Sequence, residues 1–337
     1  MLNKPLKTLF YGLTPEHAPG KWATLAKMRD TFEIVAVADD RPRGSFAYLD
    51  RPIDTAGFRV VGEDEALALA DVDVAIVETS NRDLMDVAAK LADRGIPMHC
   101  DKPCGEAMEP YRSIVETCRA KNLPFQIGYM YRGNPAVRLA WRAMEEGWLG
   151  ELAFVEADMN HDYSLANYPA YISTFKKGLL YNLGSHLVDM IYPAVKGRTL
   201  DAAVPVIGDA PGDQKGCGTS GASLMRFGNL TALVRMCAHM PGSIGCRRMR
   251  VDGTNGTLEI RPIERFDGKS LTLELTLKEG AGGYGPGTHV VDFGVQEDRY
   301  APQLADLAAI VRGDKPNDQD YERDLRVHEL FLRACGL

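Results

Sequence analysis

The sequence predicts an α/β protein: an N-terminal doubly wound parallel sheet followed by an α+β domain with a mostly antiparallel sheet. Three observations carry this. Between residues 6 and 130, short apolar runs alternate with longer segments of helical period, the pattern of parallel strands joined by crossover helices. After Gly150 the texture changes to strand patterns separated by turns, among them the tight-turn sequence Gly253-Thr254-Asn255-Gly256. A chain of 337 residues also exceeds one typical domain, so two domains are expected, 1–130 and 131–337.

In the first domain the strand patterns fall at 7–13, 33–38, 74–78, 97–100 and 124–129, with a weaker one at 58–61. Helical patterns fall at 21–29, 63–70, 83–94 and 110–121, with a further one at 134–146 just past the boundary, each stopping near Gly, Asn or a charged cluster. Residues 41–57 read as a loop. In the second domain 152–159, 221–238, 249–262 and 271–277 read as strands, 183–195 as a helix and 280–287 as a Gly-rich loop. Residues 300–313 and the tail 321–334 are helical by period, and the tail could return to the first domain.

Composition narrows the function. A hydrophobic share of 45% with 25% charged residues suits a soluble globular chain able to bury substantial cores. The net charge of −7 offers no basic surplus for nucleic acid or an anionic membrane, so neither is an expected partner. No run approaches the roughly 18 apolar residues that a spanning helix needs. The N-terminus carries no signal-peptide pattern. Seven cysteines without a Cys-x-x-Cys pair read as reduced thiols of a cytoplasmic protein.

The unusual residues fall in informative places. In an open parallel sheet, ligands bind beyond the carboxyl ends of the strands. Following successive strands here are Gly12, then Asp39-Asp40, then Thr79-Ser80-Asn81, then Asp101-Lys102-Pro103, then Tyr129 and Arg132. Polar groups on one sheet edge can meet at one crevice; the plainer reading is that loops are polar anyway. Asp39 could accept both hydroxyl protons of an adenosine ribose. Asp40 would repel a 2′-phosphate, which favours NAD over NADP, although Arg41 and Arg43 could bind that phosphate instead.

The first turn departs from a dinucleotide fingerprint. Gly-x-Gly-x-x-Gly lets backbone approach a diphosphate, yet Gly12-Leu13-Thr14-Pro15-Glu16-His17 keeps the first glycine alone. Thr14 could donate its hydroxyl to a phosphate, whereas Pro15 lacks an N–H and Glu16 would repel the anion. Either a coenzyme is held farther from this turn, or the site has lost it.

Lys102 could hydrogen-bond a substrate hydroxyl and stabilise the alkoxide that develops as hydride leaves. An exposed loop lysine is the plainer alternative. Asn182 and His186 are four residues apart and can share one helix face. His186 can serve as general base near neutral pH, and Asn182 can orient it without shuttling a proton. A lone helical histidine is more often structural.

Taken in order, these segments resemble the glucose–fructose oxidoreductase, inositol dehydrogenase and rhizopine-catabolism (Gfo/Idh/MocA) family along almost the whole chain. Asp101-Lys102-Pro103 is similar to that family's Glu-Lys-Pro motif, and Thr79-Ser80-Asn81 to its Thr-Pro-Asn turn. Gly128-Tyr129-Met130-Tyr131-Arg132, with Asn134-Pro135 after it, resembles the segment entering its interdomain helix. Residues 146–151 are similar to its link into the second domain, and Gly253-Thr254-Asn255-Gly256-Thr257 to its Gly-Thr-x-Gly turn. Residues 178–189 resemble its Asp-x-Gly-x-His-x-x-Asp signature, with Asn182 in place of the first Asp, and Leu84 stands where a His often follows the Thr-Pro-Asn turn.

The resemblance implies an NAD(P)-binding Rossmann domain and a substrate-binding, oligomerising α+β domain. It implies Lys102, His186 and Asn182 as catalytic residues. Gly12, Thr14, Asp39, Asp40, Thr79, Ser80, Asn81, Asp101, Lys102 and Tyr129 would hold the coenzyme. Lys102, Arg132, His161, Tyr163, Lys176, Asn182 and His186 would surround a sugar, cyclitol or related polyol. A homodimer or homotetramer is expected. Two other readings stand beside it: a catalytically silent sugar or nucleotide sensor on the same scaffold, and a metal-dependent isomerase or lyase using His161, Asp162, His186 and Asp189. Without His-Glu-x-x-His or regular ligand spacing, no metal is expected.

Overall fold

A computed structural model describes residues 4–41, 53–163 and 168–337. Arg43 and most of the 41–57 loop lie outside the described residues. The chain divides into two compact units, Met1–Tyr129 with Tyr300–His328, and Met130–Arg299 with Glu329–Leu337.

The first unit alternates strand and helix: β1 (Leu6–Tyr11), α1 (Ala18–Lys27), β2 (Phe32–Ala38), β3 (Val60–Val61), α2 (Glu63–Ala68), β4 (Val74–Val77), α3 (Leu84–Asp93), β5 (Met98–Cys100), α4 (Met108–Ala120) and β6 (Phe125–Ile127). The six strands are all parallel, in the order β3-β2-β1-β4-β5-β6. Every residue of β4 is buried, as expected of an uninterrupted apolar strand covered on both faces. On α3, Leu84, Val87, Ala88 and Leu91 form a buried stripe at helical spacing.

In the second unit, α5 (Pro135–Glu145) starts at Asn134, whose side chain accepts the N–H groups of Ala136 and Val137, with Pro135 at the first helical position. β7 (Leu152–Asp158), α6 (Tyr168–Ile172), α7 (Gly178–Val195) and β8 (Ala202–Gly208) follow. β9 (Ser220–Phe227), β10 (Leu230–Cys237), β11 (Arg248–Gly253), β12 (Gly256–Ile260), β13 (Ser270–Leu277) and β14 (Gly287–Val295) complete an eight-stranded sheet, ordered β14-β13-β12-β11-β7-β10-β9-β8. Only the β7–β10 pairing is parallel among these neighbours. Along β13 Leu271, Leu273, Leu275 and Leu277 are buried while Thr272, Glu274 and Thr276 face the other way.

The structure differs from the sequence reading in four places. β8 and β14 form both edges of the large sheet and were not expected as strands. Residues 221–238 divide into β9 and β10 at a turn through Gly228. α7 begins at Gly178, five residues before the expected start, so Asn182 lies inside it. The chain also returns to the first unit through α8 (Ala301–Arg312), which was expected in the second domain, and, as allowed for the tail, through the first turns of α9 (Tyr321–Cys335). Residues 300–328, assigned by sequence to the second domain, go there because Leu304, Leu307 and Ala308 fill the core around Phe10, Leu25 and Ile76.

No helix of the described residues is long and apolar enough to cross a membrane. All seven cysteines are free thiols.

Candidate active site

In the first unit β1, β2, β4 and β5 end side by side at Tyr11, Ala38, Val77 and Cys100. The strand order reverses between β1 and β4, the switch point where doubly wound sheets open a crevice. Gly12 leaves β1 with φ +97°, and a Cβ there would lie 2.4 Å from the Glu78 carbonyl oxygen. Glycine is therefore needed for the chain to pass β4, whatever it does for a ligand.

Asp40 is fully buried, and its carboxylate accepts the Leu13 N–H at 2.8 Å, the Thr14 hydroxyl at 2.7 Å and the Thr79 hydroxyl at 2.9 Å. It ties together the ends of β1, β2 and β4. This corrects the expectations that Asp40 would repel a 2′-phosphate and that Thr14 could donate its hydroxyl to a phosphate: the acid points inward, and the Thr14 and Thr79 hydroxyls donate to it. Asp39 is the partly exposed acid at this edge, with 20% of its side chain accessible. It accepts Arg41 Nε at 2.8 Å and Nη2 at 2.6 Å, and the guanidinium holds its carboxyl below the usual range. Arg41 is thus committed to Asp39.

The Ser80 hydroxyl donates to Asp83 at 2.9 Å, and Asn81 Nδ2 donates to the Pro103 carbonyl at 2.5 Å, linking the turns after β4 and β5. Tyr129 is buried at 1% exposure.

Beneath this edge lies a group of charges that sequence reading did not join. Lys21, on the buried stripe of α1 with Ala18 and Leu25, is itself fully buried. Its Nζ lies 2.5 Å from Glu78 and 3.3 Å from Asp101. Asp101 also receives His17 Nδ1 at 2.9 Å. Lys102 is 4% exposed, with the Glu16 carboxylate 3.8 Å from its Nζ. Burial drives the Lys102 ammonium down from its ordinary value against the pull of Glu16 and Asp101. Burial would lower Lys21 too, but Asp101 and Glu78 raise it. Burial would raise Asp101, yet His17 and Lys21 hold it well below the carboxylate range, while burial pushes Glu78 up to about 8 despite Lys21. The sequence signal was a lysine on an apolar helix stripe together with an acid closing an apolar strand.

In the second unit, Asn182 and His186 sit one turn apart on α7, each 2% exposed. The His186 ring meets Tyr131 edge to face, centroids 5.6 Å apart. Tyr131 donates to Glu264 at 3.0 Å; Glu264 pairs with Arg247 and, at 3.4 Å, with Arg299. Burial would raise Glu264, but the two guanidiniums keep it low. Arg247 also reaches His161 at 3.1 Å, whose ring stacks on Tyr163, centroids 4.4 Å apart. His161, Tyr163 and His186 thus belong to one connected cluster, whose members Tyr131, Arg247 and Glu264 were missed. Arg132, expected on substrate, instead grips Asp189 of α7 through Nε and Nη2 at 2.8–3.1 Å. Lys176 is exposed just before α7.

The residues fit a dinucleotide at its ribose end, where Asp39 is an accessible acid closing β2, and at Lys102 beside the turn after β5. The first loop does not offer the Leu13 N–H or the Thr14 hydroxyl, both bound to Asp40.

A doubly wound unit with the β3-β2-β1-β4-β5-β6 order and a second unit built on an open eight-stranded sheet define a two-unit architecture whose first unit is of the Rossmann type. Residues 15–129 match the model of an oxidoreductase family with NAD-binding Rossmann fold, and residues 137–259 that of the GFO/IDH/MocA C-terminal domain. The chain belongs to the Gfo/Idh/MocA oxidoreductase family. It is 26% identical over 251 residues to the rhizopine catabolism protein MocA of Rhizobium meliloti, covering 72% of this chain and 74% of that protein. It is 26% identical over 141 residues to levoglucosan dehydrogenase of Pseudarthrobacter phenanthrenivorans, covering 40% of this chain and 36% of that one. Among solved structures, levoglucosan dehydrogenase in complex with NADH and levoglucosan superimposes with a TM-score of 0.74 at 16% identity, covering 98% of this chain and 97% of the other. An oxidoreductase from Agrobacterium radiobacter in complex with NAD+, L-tartaric acid and magnesium gives 0.74 at 16% identity, covering 97% and 94%. These likenesses establish the shared fold.

Proposed function

We propose that the chain is a nicotinamide-dependent dehydrogenase or reductase acting on a CH–OH group of a sugar, cyclitol or related polyol, with NAD favoured over NADP because the partly exposed Asp39 carboxylate would repel a 2′-phosphate. The observation that carries this reading is Lys102: an ammonium buried to 4% exposure at the sheet edge where parallel folds bind ligands, in a family of NAD-binding oxidoreductases. The names of the similar dehydrogenases support the substrate class.

Asp39 would hold the adenosine ribose, with Ser80, Asn81 and Lys102 along the same edge. The bound coenzyme supplies hydride transfer. His186 takes the proton from the carbinol oxygen as general base. Lys102 stabilises the negative charge that grows there, and Asn182 orients the imidazole or the substrate. Tyr131 packs against His186 and fixes its ring plane. Substrate hydroxyls fall to His161, Tyr163 and Lys176. The Arg132–Asp189 pair anchors α7 rather than a sugar.

A second reading, a sensor without turnover, is favoured by the first loop, whose donors are occupied by Asp40. Titration with NAD(H) and NADP(H), followed by a polyol panel, separates the two: the enzyme binds a coenzyme and reduces it in the presence of a polyol, and the sensor does not.

The chain is further proposed to form a homodimer or homotetramer through the open sheet face. Val204 and Val206 of β8 are 55% and 62% exposed, and Leu224 of β9, cross-strand from Val204, is 48% exposed. Light scattering is expected to give two or four chains for the wild type and a smaller species for Val206→Asp; a monomeric wild type contradicts this.

A further inference from the structure

Lys102 is useful to hydride chemistry only as a charged group, because a neutral amine does little for a forming alkoxide. Its burial opposes that charge. Something nearby must hold the proton, and the charges around it are distributed unevenly. Asp101 precedes Lys102 in the chain, yet its carboxylate takes His17 at 2.9 Å and Lys21 at 3.3 Å. Glu78, closing β4, is engaged with Lys21 at 2.5 Å. Glu16, in the loop after β1, places its carboxylate 3.8 Å from Lys102 Nζ and 3.7 Å from His17 Nε2. Glu16 in the loop, Lys21 on α1, Glu78 after β4 and Asp101 after β5 are charged groups whose fields reach Lys102, and His17 lies beside Glu16 and Asp101.

We propose that Glu16 is a positioning residue that keeps Lys102 protonated, with His17 lying between the carboxylates of Glu16 and Asp101. This rests on the dehydrogenase reading for its purpose, but not for its geometry. It gives a function to the acid that, in a first loop built for a diphosphate, is out of place: Glu16 trades affinity for an anion against the charge on the catalytic ammonium. The side chain is 7% exposed, so its field on Lys102 is little screened by water.

The test needs neither coenzyme nor turnover. Protein carrying 13C at lysine Cε is titrated by NMR, with the Lys102 resonance assigned by its disappearance in Lys102→Arg. Glu16→Gln is expected to lower the Lys102 midpoint by at least about one pH unit, a tenfold loss of proton affinity. Glu16→Asp, which keeps the charge and shortens the side chain, is expected to restore most of it. An unmoved midpoint in Glu16→Gln overturns the proposal. So does an equal fall in Glu16→Asp, because then packing and not charge is responsible. Should Glu16→Gln fail to fold, Glu16→Ala decides by the same reading: a fall of about one pH unit supports the proposal, and an unmoved midpoint overturns it. In an active enzyme, the limb of the kcat/KM profile reporting Lys102 moves with the NMR midpoint. A protein that binds no coenzyme can still pass the NMR test, so failure of this proposal and failure of the redox reading are separable.

Discussion

Lys102→Ala and His186→Ala are each expected to reduce kcat by about 10²–10⁴-fold, while NADH affinity stays within several-fold of wild type. The two losses have different physical origins. Without Lys102 no buried ammonium meets the charge that grows on the carbinol oxygen, and a water in its place is a weaker, mobile dipole. Without His186 the proposed mechanism has no imidazole to take the carbinol proton. Both interactions strengthen in the transition state, so kcat and kcat/KM fall together while KM moves little. Stopped-flow and steady-state rates on the best polyol of the panel check this. Near-normal turnover in either variant would show that the assigned roles are wrong.

The second large effect is on stability. Lys21→Met is expected to cost about 3–5 kcal/mol, because it removes a cation lying between the buried Glu78 and Asp101 and leaves the Asp101 charge short of a partner. Urea unfolding reads this as a lower midpoint with an unchanged slope. Lys21→Met combined with Glu78→Gln is expected to recover part of the loss, since replacing a buried pair is milder than breaking it. A double variant no better than Lys21→Met would mean that the lysine acts by packing.

The same pair gives a pH dependence of definite sign. Burial raises the Glu78 carboxyl from its ordinary 4.5 to about 8, so the folded state binds this proton more tightly than the unfolded chain. Its contribution is complete below about 4.5 and is lost as pH rises towards and through 8. The buried His99 and His328, lowered to about 3 and about 4, act in the opposite direction: their contributions are lost as pH falls below 6.5. Between about pH 6.5 and 8 the Glu78 effect is therefore unopposed by them, and Glu78→Gln gains stability relative to wild type across that window.

Much of the first unit was legible because a parallel sheet covered on both faces needs short, uninterrupted apolar strands, and Val74–Val77 reads that way without any partner. The edge strands of the second unit were not. β8 contains Pro205 and exposes alternate residues, and β14 carries two glycines and little burial, so neither shows the buried alternation of a central strand. Adjacent acids posed a different problem. Asp39 and Asp40 are equivalent by sequence, and only the packing of three strand ends decides that Asp40 turns inward to Leu13, Thr14 and Thr79. Lys102 and His186 were legible as residue types at significant positions. Glu16, Lys21 and Glu78 were visible one at a time, but 57 residues separate Lys21 from Glu78, and their pairing belongs to the fold.

Isothermal calorimetry of the wild type with NAD+, NADH, NADP+ and NADPH is the most direct test of whether this crevice takes a nicotinamide coenzyme despite the acid and proline in its first loop. The account predicts saturable one-to-one binding, tighter for the NAD pair, and weakened at least tenfold by Asp39→Ala. No heat of binding with any of the four would remove hydride transfer from this protein while leaving its architecture intact.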